Sequence, residues 1–354
     1  MLNAGCATQS DNQAESNSIL HLQRGAWVNV SDQLLPVFAQ QNIKPIIKFA
    51  YDVTNGAGIC GILADRSLGG PWIIVQGQGV WKYQPTTGVT HQRIDAGNYD
   101  AFYENAGPDI DPEGLGVCLF SIQGQTTNST CAIARNGGKK WTALTTDSAA
   151  FGYDVGAVNW TDGGMTILAK KHHNGDLVLS HDGGKTWTLL GKGQSRVMAL
   201  GLIGSQVLLK GVRGDGDAGG LFRSTDEGTN WSKVADCQFN RLGHVVVFHG
   251  AAYLTCTNGI LVSHDQGRHW SLPGKQCPGL RVPVMFGKYE QHLMVYGDQG
   301  FYESHDGGMT WILAVAFGED PALRSGRFEY GAWNPNDDTF FITHIRGQAF
   351  GYQR

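Results

Sequence analysis

The chain has 354 residues, including 50 glycines and 10 tryptophans, with 16% charged residues and a formal net charge of -4. A 41% hydrophobic share supplies a large core and excludes global disorder, and the glycine excess without a Gly-X-Y period excludes collagen. There is no apolar run of about 18 residues and no Lys/Arg tract, so neither a membrane span nor nucleic-acid binding is expected.

In chain order, residues 1–24 begin Met1-Leu-Asn-Ala-Gly-Cys6 without a charged or apolar signal region. The Ser/Asn/Gln-rich stretch that follows reads as a disordered lead-in or the remnant of a removed signal. Residues 25–354 read as one domain. A short helix is predicted over 32–41. Alternating apolar and polar residues between turn signals then divide the chain into strand sets near 46–95, 97–146, 150–191, 195–236, 240–274 and 280–316. In the third set the strands fall at 155–160, 166–170, 176–180 and 186–190. Residues 327–354 supply only three strands, and residues 27–30 can add the missing outer one.

A repeat sets the architecture. Ser180-His-Asp182-Gly-Gly184-Lys-Thr-Trp187 recurs as Ser224-Thr-Asp226-Glu-Gly228-Thr-Asn-Trp231, as Ser263-His-Asp265-Gln-Gly267-Arg-His-Trp270 and as Ser304-His-Asp306-Gly-Gly308-Met-Thr-Trp311. A weaker copy is Ala134-Arg-Asn136-Gly-Gly138-Lys-Lys-Trp141, and Trp81 to Gly88 is a degenerate one. The Trp-to-Trp steps are 46, 44, 39 and 41 residues. The motif is a hairpin turn in which the Asp accepts backbone N–H groups, Gly takes positive φ and Trp packs on the turn. It resembles the Asp-box, or bacterial neuraminidase repeat, of sialidases, xyloglucanases and related β-propellers. That resemblance implies an all-β fold: a single seven-bladed β-propeller with Asp-box hairpins, its ring closed by pairing of the N- and C-terminal strands. It also implies a structural role for the box residues, including His181, His264 and His305.

In such propellers ligands bind on the face opposite the boxes. Reading the inner-strand entrances there gives Tyr51-Asp52, Tyr99-Asp100 and Tyr153-Asp154, then Arg196, Arg241, Arg281 and Arg327. This grouping allows two readings: a ring of Arg–Asp salt bridges plugging the channel, or an anion pocket in which Arg forks bind a carboxylate. Loops of the same face add Lys170-Lys171-His172-His173-Asn174, Arg213-Gly-Asp215-Gly-Asp217, Tyr296-Gly-Asp298 and His344-Ile-Arg346, with Glu329 and Tyr330 just inside the last inner strand.

Elimination at a uronate needs its carboxylate neutralised, a base near neutral pKa and an acid for the leaving oxygen. Arg196, Arg241, Arg281 and Arg327 fit the first role, His172 or His173 the second, and Tyr153 or Tyr330 the third. Asp52, Asp100, Asp154 and His344 complete the pocket. Architecture and inventory together resemble the seven-bladed lyases that remove rhamnose from glucuronate, implying a secreted, monomeric enzyme acting on an acidic polysaccharide or oligosaccharide. An exo-sialidase-like hydrolase and a non-catalytic binding propeller are the alternatives. The Arg-Ile-Pro triplet of sialidases is absent, its nearest counterpart being Arg281-Val-Pro283. No cofactor is required; Asp215 and Asp217 have the alternating spacing of a calcium loop, so a structural calcium is the ion to consider. Seven cysteines contain no CxxC pair, and Cys118 with Cys131 is the candidate disulfide. Sequons at Asn29, Asn128, Asn159 and Asn230 permit a secreted eukaryotic origin.

Overall fold

A computed structural model describes residues 20–40, 59–63, 72–75, 79–84, 88–92, 100–101, 109–110, 116–123, 129–135, 140–144, 155–161, 165–171, 175–183, 185–214, 218–239, 243–257, 259–274, 284–319, 323, 328–344 and 348–354. Strand β1 (Val28–Asn29) and helix α1 (Ser31–Gln40) precede the sheets. The first sheet is β2 (Ile59–Leu63), β3 (Trp72–Val75), β4 (Gly79–Gln84) and β5 (Gly88–Gln92). The second holds β6 (Asp100–Ala101), β7 (Asp109–Ile110), β8 (Gly116–Gln123), β9 (Ser129–Arg135) and β10 (Lys140–Leu144). The third is β11 (Val155–Thr161), β12 (Thr166–Lys171), β13 (Leu177–Ser180) and β14 (Thr188–Gly191). In the fourth are β15 (Val197–Ile203), β16 (Val207–Val212), β17 (Gly220–Ser224), β18 (Ser232–Ala235) and β19 (Gly243–His244). The fifth has β20 (Val246–Phe248), β21 (Ala251–Cys256) and β22 (Gly259–Ser263). The sixth is β23 (Met285–Phe286), β24 (Leu293–Tyr296), β25 (Gly300–Ser304) and β26 (Ile312–Ala316). The seventh joins β27 (Phe328–Asn334), β28 (Thr339–His344) and β29 (Ala349–Gln353) to β1.

Neighbouring strands pair antiparallel except β19, which runs parallel to β15. Gly243–His244 was expected to open the fifth set and instead borders the fourth sheet. The fifth sheet is completed by a lone bridge between Val262 and Ser271 rather than by a full fourth strand. The other predicted strands of the third set agree with β11 to β14 to within two residues.

Sheet stacking follows from strand period two on apolar strands with both faces buried. Leu208 joins Leu168, Leu177 and Leu179 of the third sheet, whereas its neighbour Leu209 joins Ala252, Leu254 and Leu261 of the fifth. Leu293 and Val295 likewise pack back onto Tyr253 and Val262, while Met294 and Tyr296 pack forward onto Trp333, Phe340 and Ile342. The fourth, fifth and sixth sheets are thereby each cemented to both neighbours. Gly331 marks a close approach in this stack: a Cβ there would meet the Tyr296 ring at 2.6 Å.

The seventh sheet draws on both parts of the chain. Val28 opposes Gly351 and Asn29 opposes Phe350, and the Val30 N–H continues the ladder to the Ala349 carbonyl at 2.9 Å. Trp27 anchors this segment by donating Nε1–H to the Ala316 carbonyl at 2.8 Å and stacking near Phe301 and Tyr352. Helix α1 buries Leu34 and Phe38 against Ile73 of the first sheet and Phe341 and Ala349 of the seventh. Strand β2 also lies against β27 and β28. Among the described residues, no helix is long and apolar enough to cross a membrane.

The box turns behave as the motif requires. Asp226 Oδ1 accepts the Asn230 N–H at 2.9 Å and the Ser224 hydroxyl at 2.7 Å, and Ser224 Oγ accepts the Gly228 N–H at 2.9 Å. The Asn230 N–H is the main reason the Asp226 carboxyl is held down at about 2. Gly228 takes φ of 79°, and Trp231 donates its Nε1–H to the Gly228 carbonyl at 2.8 Å while its ring packs on the third and fourth sheets. Consecutive boxes meet at one end of the stack: His181 reaches Glu227 at 3.6 Å, and Arg223 donates to the Gln266 carbonyl at 3.1 Å.

Two cysteine and sequon expectations change. The disulfide among the described residues joins Cys237 to Cys256, with Cα atoms 6.2 Å apart, and ties the end of the fourth sheet to β21. Cys118 stands opposite Ile133 and Cys131 opposite Leu144, so strand register does not set those two cysteines against each other. Asn159 is buried, donating to the Val245 carbonyl at 3.0 Å and accepting from the Leu202 N–H at 2.7 Å. This sequon serves packing between sheets.

Candidate functional site

The β12–β13 and β16–β17 connections and the start of β15 share the end of the stack opposite the boxes. There the Gln194 N–H bonds the Gly175 carbonyl, and the Arg213 N–H bonds the Arg196 carbonyl at 2.8 Å. This backbone bond holds the exposed Arg196 and Arg213 side by side. Lys170 is buried beneath them, its Nζ donating to the Val197 carbonyl at 2.7 Å. Burial, and then the Arg213 charge, push the Lys170 pKa down. Among the described residues no carboxylate lies against Arg196 or Arg213. The cluster is electropositive, and the two guanidinium forks can take a carboxylate bidentately.

Other predicted residues distribute as follows. Asp100 opens β6 opposite Gln123, Tyr330 lies opposite Thr343 in β27, and His344 closes β28 opposite Phe328. Tyr330 and His344 thus occupy adjacent strands. Tyr296, expected on a loop of this face, is fully buried in the core, whereas Asp298 is exposed. Asp52, Tyr153, Asp154, His172, His173, Asp215, Asp217, Arg241, Arg281 and Arg327 lie outside the described residues.

A second polar cluster, at the box end between the sixth and seventh sheets, escaped the sequence reading. Buried His292 and Glu303 are bonded through Nε2 and Oε1 at 2.7 Å. His305 Nε2 lies 3.7 Å from the same oxygen, and its Nδ1 contacts the Tyr289 hydroxyl at 2.6 Å. Arg354 forks across Glu303 and, on its other side, bonds both oxygens of Asp338. Burial raises the Glu303 carboxyl, but the bonds from Arg354 and His292, with the Arg354 charge, outweigh it and leave it at about 2. Glu303 is the signal that was available. Leu179, Arg223 and Val262 hold the equivalent position before the other three full boxes, so a carboxylate stands out there.

Comparison with known proteins gives the BNR/Asp-box repeat as the matching family model, over residues 178–189. No curated protein matches the chain. Among solved structures, YCF48 bound to D1 peptide is 15% identical with a TM-score of 0.45, covering 88% of this chain and 97% of that one. An ancestral GH74 enzyme is 15% identical with a TM-score of 0.40, and the match spans 82% of this chain but 35% of the enzyme. A GH74 enzyme from Niastella koreensis is 12% identical with a TM-score of 0.30, covering 82% and 60%. The chain is an almost entirely β protein, with the BNR/Asp-box repeat matched at residues 178–189.

Proposed function

We propose that the chain is a seven-bladed Asp-box propeller, closed through β1 and β29, that recognises an acidic glycan at the end opposite its boxes. The observation that carries this reading is the gathering of Lys170, Arg196 and Arg213 at that end. Like charges held together bind an anion more tightly than scattered ones, because the anion relieves their repulsion. A uronate carboxylate meets both requirements, charge and bidentate geometry.

Elimination is the chemistry we assign to this face. With the carboxylate neutralised, the proton beside it becomes acidic. His172 or His173, two and three residues beyond Lys170, takes that proton, and Tyr153 delivers one to the leaving oxygen, with Tyr330 and His344 the next choices. The substrate is an acidic polysaccharide or oligosaccharide encountered outside the cell, and no cofactor enters the scheme.

The test is incubation of the full chain with acidic plant polysaccharides while following both ultraviolet absorbance and reducing ends. New absorbance from an unsaturated uronate, lost in either His172→Ala or His173→Ala with melting behaviour intact, is the expected result. Reducing ends without absorbance identify a hydrolase, and binding without either identifies a recognition module. Absence of binding to any carboxylated glycan overturns the reading.

A further inference from the structure

We propose that His292, Glu303 and His305 form a divalent transition-metal site suited to zinc, at the box end and independent of the glycan face. One ligand atom from each of His292, Glu303 and His305 lies within 4.8 Å of the other two. Tetrahedral zinc with bonds of about 2.0–2.1 Å sets its ligand atoms roughly 3.3 Å apart. The observed 2.7 Å and 3.7 Å separations from Glu303 bracket that spacing, so movements of well under 1 Å suffice for these two pairs. Two imidazoles and a carboxylate form a set that zinc favours, leaving a fourth position for water.

The surroundings support each ligand. The Tyr289 hydroxyl on His305 Nδ1 directs Nε2 of that ring toward Glu303. The two imidazole planes are 27° apart and stacked, so their lone pairs do not yet converge. His305 is half-exposed while Trp333 packs edge-on against His292, so His305 is the ring that turns. Among the described residues, His292 Nδ1 is a buried atom with no hydrogen-bond partner. When Nε2 gives up its bond to Glu303 and takes the metal, the ring proton moves to Nδ1, a buried N–H without an acceptor among the described residues, whose cost metal binding must offset. Arg354 is the competitor for Glu303. It need not be left unpaired, because its Nε and Nη2 are bonded to Asp338 and its Nη1 can keep Glu303 Oε2. Glu303 then bridges metal and guanidinium, an arrangement that orients a ligating carboxylate.

The experiment titrates zinc chloride into the chelator-stripped full chain by calorimetry, with cobalt absorption as the reporter of coordination. The expected result is one ion per chain with a dissociation constant below about 10 µM and tetrahedral cobalt bands. His305→Ala, and His305→Gln as a second variant at this half-exposed position, should weaken binding by at least about 100-fold, and Tyr289→Phe by roughly 10-fold. His264→Ala, the exposed box histidine of the preceding sheet, should bind as wild type. Wild-type affinity weaker than about 1 mM, or wild-type binding retained in a folded His305 variant, overturns the site and leaves the cluster a structural ion-pair network.

Discussion

Replacing Arg354 with Met keeps an apolar stem near the Phe340 ring and removes the cation from Glu303. Glu303 is only 3% exposed and sits at about 2, against roughly 4.3 for a free glutamate, a difference corresponding to about 3 kcal/mol at neutral pH. Arg354 itself is 34% exposed, and solvent screening reduces the expected loss to about 2 kcal/mol. The sign follows from a lowered carboxyl pKa: the contribution is complete above about pH 5 and is lost as pH falls toward 2. In the variant, burial without the guanidinium raises the Glu303 carboxyl, so this acid-side loss disappears. Urea unfolding followed by tryptophan fluorescence should therefore show a gap of about 2 kcal/mol at pH 7, falling to about half near pH 3. A gap that stays constant between those pH values refutes the argument that the carboxylate–guanidinium pair is its source.

Three further outcomes are expected. Trp231→Ala removes a half-buried indole, its bond to Gly228 and the Lys210 ammonium 4.2 Å from its ring. This should cost about 3 kcal/mol in urea denaturation while glycan affinity in the folded fraction stays unchanged; a selective loss of affinity in a stable variant contradicts placing the boxes away from the ligand. Cys237→Ser with Cys256→Ser opens a crosslink spanning 19 residues and should lower stability by about 3 kcal/mol, with equal stabilities speaking against the bond's contribution. Arg196→Lys and Arg213→Lys keep charge but lose the fork, so affinity for a uronate-containing oligosaccharide should fall roughly 10–100-fold, whereas undiminished binding removes both residues from the site.

The box turns were legible because their chemistry is local. Ser224, Asp226, Gly228 and Trp231 make their bonds within seven residues of each other, and the sequence carries the whole constellation. The contribution of residues 27–30 to the last sheet was also readable, since 327–354 left that sheet one strand short. Tyr296 misled because a Tyr-Gly-Asp run looks like a loop, while its place at the end of an apolar strand drives the ring into the core. The disulfide was missed because Cys237 follows β18 in a connection whose path depends on the neighbouring sheet. His292 and Glu303 are 11 positions apart on opposite sides of a hairpin, and Arg354 arrives from a different sheet. No period in the sequence announces such a meeting. At the end opposite the boxes, the backbone bond between Arg213 and Arg196 could not be read from spacing, although Arg196 itself was placed at a strand entrance.

The pairing of β1 with β29 joins positions separated by about 320 residues. Bringing such distant segments together costs roughly 2 kcal/mol more chain entropy than closing one sheet of about 40 residues. Synthesis from the ribosome makes Val28 long before Gly351, so each intermediate sheet can form and stack while this ladder still waits for its partner. Until then Val28, Asn29 and the hydrogen-bonding edge of β29 are open to strands of another chain, and a second molecule can supply the missing strand as readily as the first. Slow closure at high concentration should therefore yield strand-exchanged dimers. Permuting the chain so that β1 directly follows β29 should speed refolding and suppress those dimers.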